Sequence, residues 1–328
     1  MRIVEAISEL NKIKRNCVLT IGNFDGVHLG HQEIIKEARN TANLKSTDLT
    51  VMTFEPHPVA VLFPEKAPGV LTPLELKENL LRRCNVDNLV ILKVNSELLN
   101  LSHEDFVKRF LVENIEPSFV IEGGDFNFGA GRTGNIETLK ELGVKNSFEV
   151  SVINPKMINL SSGQMVRVSS TMIRYMLESG HVADAAEALG RPYRLIEEII
   201  PGRGIGKKLG FPTLNMKIPE QVIPSEGVYA GFVRIGKSIK DVLSSEKTFT
   251  AVYSIGQART YGDENPLLIE AHLLEEDVTA LAGDFMAMDF IQRIRSQHKF
   301  QTPEKLSAQI AKDCERARNV LTADFESE

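Results

Sequence analysis

The stretch CVLTIGNFDGVHLGHQEIIKEARNTAN, residues 17–43, indicates how the first half of the chain folds. It begins with a β-rich run, passes through the glycine-rich loop GNFDGVHLGH at 22–31, and continues into an amphipathic segment that predicts a helix. Further β-rich runs alternate with helix-length segments as far as residue 154. Because strands separated by helices need crossover connections, we expect a parallel, Rossmann-like α/β sheet with helices on both faces. The other predicted strands cover 49–56, 88–94, 118–124 and 148–154, and the other helices cover 73–84, 102–115 and 134–143.

The pattern changes near GRPYR at 190–194, after two short helical segments between 170 and 190. From there to about residue 295, strand-like runs are separated by Gly, Pro or Ser, and the next long helical period comes only at 302–321. This spacing predicts an antiparallel β-barrel with a terminal helix packed outside it. We therefore expect two domains, 1–188 and 189–328.

Composition excludes several classes of protein. The 328 residues, 42% hydrophobic and 25% charged, are typical of a globular chain long enough for two domains. A net charge of −6 argues against a general nucleic-acid binder, and no apolar run approaches the roughly 18 residues of a membrane span. Neither a signal peptide nor a paired cysteine framework is evident, so we expect a cytoplasmic protein with reduced thiols.

The loop GNFDGVHLGH lies between a predicted strand and a predicted helix, where α/β sheets bind ligands. Its glycines allow the backbone to approach a phosphate closely, and the helix N-terminus attracts anions. His28 and His31, three residues apart, could both donate to one ligand. A structural histidine pair or a metal site is the alternative, although no third ligand stands nearby to complete a zinc site.

The same loop resembles the HxGH signature of nucleotidylyltransferases, in the form seen in bacterial bifunctional riboflavin kinase/FAD synthetases. The resemblance extends in order over nearly the whole chain. The matching segments are TFEPHP (53–58), GGDFNFGAGRTGN (123–135), VSSTMIR (168–174) and LGRPY (189–193).

This resemblance implies an FMN adenylyltransferase site in the first domain. The implied catalytic residues are His28, His31 and Arg174, and the implied nucleotide- or flavin-binding residues are Gly22, Asn23, Asp25, Gly30, Asp125, Ser170 and Thr171. Ordinary structural roles are the alternatives: Ser170 could be a helix N-cap, Arg174 a surface charge, and Asp125 a turn residue. Asn127 stands where the family commonly has Arg, and His57 between two prolines is interpreted as stiffening its loop.

GRGIGKKLGFPTLN, at 202–215, is not a Walker P-loop, because its glycine spacing is too short and Lys208 stands at the Ser/Thr position. It resembles the flavokinase loop, which implies that Thr213 and Asn215 hold ATP-bound Mg²⁺ and that Gly206 and Lys207 contact the nucleotide. Leu214 replaces the family's Ala and Lys207 its Arg. On a strand, Thr213 and Asn215 would share one face and Leu214 would lie on the other.

Three later segments continue the resemblance. In YSIGQARTYG (253–262), Arg259 and Tyr261 replace the family's Pro and Phe, while Thr260 is kept. IEAHLL (269–274) resembles the strand with the catalytic base, here Glu270, and alternation places Glu270 with His272 opposite the apolar face. A solvated strand face is the alternative for Glu270. In RIRSQHKF (293–300), the resemblance places Arg295 near the flavin.

The sequence thus favours a bifunctional enzyme that phosphorylates riboflavin with MgATP and adenylylates the FMN product to FAD. Its partners would be ATP, riboflavin and FMN, with no nucleic acid, membrane or obligate protein partner. Because Lys207, Leu214 and Arg259 all depart from the kinase pattern, an FAD synthetase with an impaired kinase domain is the first alternative. A non-catalytic flavin- or nucleotide-binding regulator is the second.

Overall fold

The computed structural model describes the backbone of residues 1–257, 266–275 and 283–325. Its internal contacts divide the chain into two compact units. The first comprises Met1–Pro68, Leu76–Ile158 and Met165–Val168, and the second comprises Gly69–Glu75, Asn159–Gln164 and the chain from Ser169 onward. No helix of the described ranges is both long and apolar enough to cross a membrane.

The first unit contains the predicted parallel sheet. Its six strands are β1 (Arg2–Val4), β2 (Val18–Ile21), β3 (Leu49–Glu55), β4 (Asn88–Lys93), β5 (Phe119–Gly123) and β6 (Glu149–Ile153). They lie in the order β1-β4-β3-β2-β5-β6, and all the pairs are parallel. From β2 the chain runs outward through β3 and β4 on one side, and later through β5 and β6 on the other. Strand order therefore reverses at β2, and ligands of such sheets bind at the carboxyl ends of the strands beside this reversal.

Helices connect the strands of this sheet, as the sequence predicts. They are α1 (Leu29–Leu44), α2 (Pro58–Leu62), α3 (Leu74–Arg83), α4 (Ser96–Leu99), α5 (His103–Phe106) and α6 (Ile136–Asn146). The segment predicted as one regular helix over 102–115 is different: after α5 the chain continues as a π-helix over Val107–Ile115. Its wider turn still buries the bulky side chains of Val107, Phe110, Leu111 and Ile115 in the core.

The second unit contains two helices, α7 (Ser170–Glu178) and α8 (Val182–Leu189), and the predicted barrel. A two-stranded sheet of β7 (Met157–Asn159) and β8 (Met165–Arg167) precedes them in the chain. The barrel strands are β9 (Tyr193–Ile200), β10 (Leu214–Met216), β11 (Gly227–Gly236), β12 (Phe249–Gln257), β13 (Leu267–Leu273) and β14 (Phe285–Arg295). They close in the antiparallel order β10-β13-β12-β11-β14-β9. The short helices α9 (Ile205–Lys208) and α10 (Ile239–Ser244) lie between strands, and the terminal helix is α11 (Pro303–Phe325).

Apolar packing holds α11 on the barrel. Cys314, Ala317 and Leu321 of the helix share one buried cluster with Val228 and Ala230 of β11. Because alternate residues of a strand face opposite sides, Tyr229 points away from this cluster and packs edge-on against Phe290, inside the barrel.

A buried aspartate joins three barrel strands. The carboxylate of Asp289 on β14 accepts two hydrogen bonds from Arg194 of β9, at 2.6 and 2.7 Å, and a further one from Arg234 of β11. Only 7% of the Asp289 side chain is exposed. Two guanidinium groups therefore depend on one carboxylate in a site that water barely reaches.

We expect Asp289→Asn to lower the free energy of unfolding of the barrel by about 3–5 kcal/mol, because two poorly solvated cations lose their counter-charge. Denaturant titration measures the change. Asp284→Asn is the matched control: its ion pair with Lys237 spans 3.9 Å with both side chains two-thirds exposed, so its loss should cost less than about 1 kcal/mol. Equal losses in the two variants would contradict the argument.

Candidate active sites

The loop of residues 22–31 starts at the carboxyl end of β2 and is tied to β3. The Gly22 N–H donates to the Met52 carbonyl at 3.0 Å, and the Thr53 hydroxyl donates to the Asn23 carbonyl at 3.1 Å. The Asn23 side-chain nitrogen lies 3.1 Å from Nε2 of His57, in the loop after β3. The loop that the sequence singled out therefore begins beside the reversal of strand order.

Backbone strain marks the middle of this loop. Phe24 and Val27 adopt positive φ values of 47° and 38°, and Gly26 has a φ of 90°. Glycine takes such values freely, whereas a phenylalanine and a β-branched valine do so only at a cost of about 1–3 kcal/mol each. Both side chains are buried, as is Asp25 between them. The surrounding structure thus imposes a loop conformation that local preference opposes.

His28 caps α1 and leads the predicted histidine pair. Its Nδ1 accepts the backbone N–H of His31 at 3.3 Å, and the two imidazole rings stack with centroids 3.6 Å apart. In a neutral ring whose Nδ1 is an acceptor, the proton is on Nε2. His28 thus has an Nε2–H donor, and a Cβ added at Gly30 would lie only 3.2 Å from its ring. A glycine at position 30 accommodates this ring at the start of the helix.

Asp125 follows the neighbouring strand, β5, and forms an ion pair. Its carboxylate accepts a hydrogen bond from Arg167 of β8 at 2.5 Å, with both side chains substantially exposed. Asn127, which replaces the family's Arg, donates to the Asp125 carbonyl at 2.6 Å. Sequence reasoning missed Arg167, although it stands three residues before Ser170 in the VSSTMIR region.

Ser170, Thr171 and Arg174 lie in the first turns of α7. The helix is capped by Ser169, whose hydroxyl accepts the Met172 N–H at 3.2 Å, so the cap is not Ser170. Arg174 donates from Nε to the Gly69 carbonyl at 2.7 Å. By their contacts these residues belong to the second unit, whereas His28 and His31 belong to the first.

In the barrel, the residues expected to bind metal and to act as base come together. The Thr213 hydroxyl lies 3.4 Å from Oε1 of Glu270, and Asn215 of β10 stands directly opposite Glu270 of β13. Thr213 and Asn215 thus share a face, and alternation directs Leu214 away from it. The replacement of the family's Ala by Leu214 does not alter this face.

Close packing shapes the loop that precedes β10. A Cβ at Gly206 would lie 2.4 Å from the Phe211 carbonyl oxygen, and one at Gly202 would lie 2.2 Å from the Asn215 side-chain nitrogen. Position 206 therefore requires glycine because the obstacle is backbone, whereas a Cβ at position 202 would require the Asn215 side chain to shift. Lys207 is exposed in α9. His272, on the same strand face as Glu270, has its Nδ1 2.8 Å from the Pro212 carbonyl and so holds the residue before Thr213.

Burial and one nearby cation act on Glu270 in opposite directions. Burial raises the pKa of its carboxyl above the usual range, and the positive charge of Arg203 lowers it, as does the hydrogen bond from Thr213. Sequence reasoning missed Arg203, which lies in the same glycine-rich loop as Gly206.

Arg295, the last residue that the resemblance implies as a flavin contact, is bound to the terminal helix. It forms a two-pronged ion pair with Asp313 of α11, with nitrogen–oxygen distances of 2.7–3.0 Å, and this pair attaches the helix to the end of β14. Its placement near a flavin stays a prediction. Arg259, Thr260 and Tyr261 lie outside the described residues.

Comparison with known proteins finds a family match for each half of the chain. A family model described as FAD synthetase matches residues 10–172, and one described as riboflavin kinase matches residues 189–321. The chain belongs to the bifunctional riboflavin kinase/FMN adenylyltransferase family. It is 32% identical to the proteins of that name from Escherichia coli K12, over 95% of this chain and 96% of theirs, and from Buchnera aphidicola, over 96% and 97%.

A solved structure shares the overall fold. Its title names a macrolide-efflux protein from Streptococcus pneumoniae, and it superposes with a TM-score of 0.81 at 25% identity, covering 97% of this chain and 99% of that one. The efflux activity named in that title is not a statement about this chain.

The oxygen ligands around Glu270 suit Mg²⁺ delivered with a nucleotide. A hydroxyl, an amide oxygen and one carboxylate are hard donors, and the phosphates of ATP supply most of the negative charge. No cluster of three or more His, Cys, Asp or Glu side chains suited to a metal occurs among the described residues.

The cap formed by His28 is testable by stability alone. We expect His28→Ala to lower the free energy of unfolding by about 0.5–2 kcal/mol, because the His31 N–H loses its acceptor. His28→Asn should restore most of this loss, since asparagine is a strong N-cap. Thermal unfolding followed by circular dichroism measures both variants. If His28→Asn were as destabilised as His28→Ala, loss of the helix cap would not explain the loss of stability.

Proposed function

We propose that this protein makes both flavin cofactors: it phosphorylates riboflavin to FMN with MgATP, and transfers the adenylyl group of a second ATP to FMN, giving FAD and pyrophosphate. The cluster of Thr213, Asn215 and Glu270 carries the argument for two activities, because those three residues serve no purpose in adenylyl transfer. We assign adenylyl transfer to residues 1–188 and phosphoryl transfer to residues 189–328.

Adenylyl transfer needs alignment and charge stabilisation rather than a protein nucleophile. A phosphate oxygen of FMN attacks the α-phosphorus of ATP, and pyrophosphate leaves. We assign to the Nε2–H of His28 the stabilisation of the oxygens on which charge accumulates, and the ring of His31 stacked on it restricts its orientation. In our proposal Gly22, Asn23, Asp25 and Gly30 shape the nucleotide loop, and Asp125 contributes on the flavin side. The family resemblance implies that Ser170, Thr171 and Arg174 bind the departing phosphates.

Phosphoryl transfer needs a base for the 5′-hydroxyl of riboflavin. We assign this role to the carboxylate of Glu270, and the binding of ATP-bound Mg²⁺ to Thr213 and Asn215, with Gly206 and Lys207 along the nucleotide loop. The metal supplies charge neutralisation of the phosphates when it is bound. Desolvation of Glu270 makes its carboxylate a stronger base than it would be in water.

The geometry favours an active kinase over the kinase-impaired alternative. Leu214 is directed away from the face that carries Thr213, Asn215 and Glu270, so this departure from the family pattern lies outside the cluster. A regulator without turnover would have no use for a desolvated carboxylate beside a hydroxyl ligand. Incubation of purified protein with riboflavin, ATP and Mg²⁺, with chromatographic separation of FMN and FAD, separates the three possibilities. Both products are expected; FAD only from supplied FMN, or neither product, would overturn the proposal.

His28→Asn separates the two parts played by this residue. Because asparagine keeps the helix cap but shortens the donor, we expect a folded protein whose FAD synthesis from FMN falls by about 10²–10³-fold. Riboflavin phosphorylation on the same preparation should stay at the parental rate. A parallel loss of both activities would speak against an adenylyl-transfer role for His28.

The pH profile of the kinase should depend on Arg203. A base must be ionised, so kcat/KM should fall on the acid side as Glu270 takes up a proton. Arg203→Met removes the charge that lowers the Glu270 pKa, so the acid limb should move to higher pH. Lys208→Met, which removes a charge from the same loop, is the control and should leave the limb in place. Glu270→Gln should lower turnover by about 10²–10⁴-fold at every pH; an unshifted limb in Arg203→Met would contradict the assignment of the base.

A further inference from the structure

The two central strands of the parallel sheet separate before they end. β2 pairs with β5 only through Val18↔Phe119 and Leu19↔Val120. On its other side, β2 stays paired with β3 as far as Ile21↔Met52, and β5 stays paired with β6 as far as Gly123↔Ile153. The separation is therefore confined to the gap between β2 and β5, where the strand order reverses.

One side chain fills this gap. Glu122 of β5 is 3% exposed, and its Oε1 accepts the backbone N–H of Ile21 at 2.5 Å. That N–H is the last of β2, and in a continuous ladder it would pair with a backbone carbonyl of β5. A carboxyl group at the end of two methylenes takes the place of that carbonyl as the acceptor of the Ile21 N–H.

The two loops assigned to adenylyl transfer start on either side of this contact. Gly22 follows Ile21 directly, and Asp125 stands three residues after Glu122. On the β3 side the Gly22 N–H is held by Met52. The first residues of the nucleotide loop are thus held by a backbone acceptor on one side and by the Glu122 side chain on the other.

We propose that Glu122 is a positioning residue for adenylyl transfer: as a hydrogen-bonding spacer between Ile21 and β5, it sets the width of the crevice and the direction in which the Gly22–His31 loop leaves the sheet. The inference rests on the proposed adenylyltransferase activity. Glu122 touches neither phosphate nor flavin in this role. It acts through the backbone of Ile21, and so through the placement of His28.

The proposed role needs an acceptor of the right length and does not need a negative charge. Burial raises the pKa of Glu122 well above its usual range, while the hydrogen bond from the Ile21 N–H and the side chain of Thr20 lower it. A neutral carboxyl keeps its carbonyl oxygen as an acceptor for the Ile21 N–H. A glutamine would do the same.

Three variants of the full chain test the proposal. Glu122→Gln keeps both length and acceptor, whereas Glu122→Met keeps the length and removes the acceptor. Glu149→Met, at an exposed position of the adjacent strand β6, controls for the introduction of methionine into this sheet. For each, kcat and KM for FAD formation from FMN and ATP are measured, together with riboflavin phosphorylation and thermal unfolding.

We expect Glu122→Gln and Glu149→Met to stay within about twofold of the parent, and Glu122→Met to lose about 10²-fold in kcat, the usual effect of misplacing reacting groups by about 1 Å. KM should change less than kcat, and kinase turnover should be unchanged. A merely structural residue would instead lower thermal stability and both activities together.

Two outcomes would overturn the inference alone: an unimpaired Glu122→Met, or a Glu122→Gln as slow as Glu122→Met, which would show that the charge itself is used. A parent protein that makes no FAD from supplied FMN would overturn the proposed function and this inference with it.

Discussion

The direction in which the chain leaves β2 is the constraint on which the first site depends. The last amide of the strand, at Ile21, points to the Glu122 carboxyl, and the next, at Gly22, points to the Met52 carbonyl. With its origin held from both sides, the loop can sustain the unfavourable backbone of Phe24 and Val27 and deliver His28 to the start of α1. The sheet, the strained loop and the helix cap together thus position the imidazole of His28, whose proton lies on Nε2.

The barrel solves a different problem, which is to bring together residues that are far apart in sequence. Antiparallel pairing places Asn215 opposite Glu270, and the hydrogen bond from Thr213 closes the cluster. The loop before it packs closely on the Phe211 carbonyl because glycine stands at 206, and His272 holds Pro212 from the neighbouring strand. Here the scaffold supplies hard oxygen donors and a desolvated carboxylate, in contrast to the imidazole donors of the parallel sheet. In the proposed function, attack at an α-phosphorus and transfer of a γ-phosphoryl group use these two different sets of groups.

The substitutions relative to the family pattern differ in importance once their positions in the structure are known. Leu214 lies opposite the cluster, and Asn127 bonds only to the backbone of Asp125, whose carboxylate is engaged by Arg167. Arg295, implied as a flavin contact, is paired with Asp313 and secures the terminal helix. A residue's match to a motif therefore does not establish its contacts, because a charged neighbour outside every motif can form an ion pair with it.

The sequence by itself determined the two-part architecture, because strand and helix periodicities differ and each repeats often enough to be recognised. It also located the loop at 22–31, and strand alternation placed Thr213 and Asn215 on one face. It could not reveal the π-helix at 107–115, because the apolar spacing of that segment fits a regular α-helix as well. Nor could it assign Glu122, Arg167, Arg203 or His272, although a charged residue inside the β-rich run SFVIEGG was a visible signal for the first. Their contacts join segments that are distant in sequence, and only the folded sheet and barrel decide which backbone amide, carboxylate or carbonyl each side chain meets.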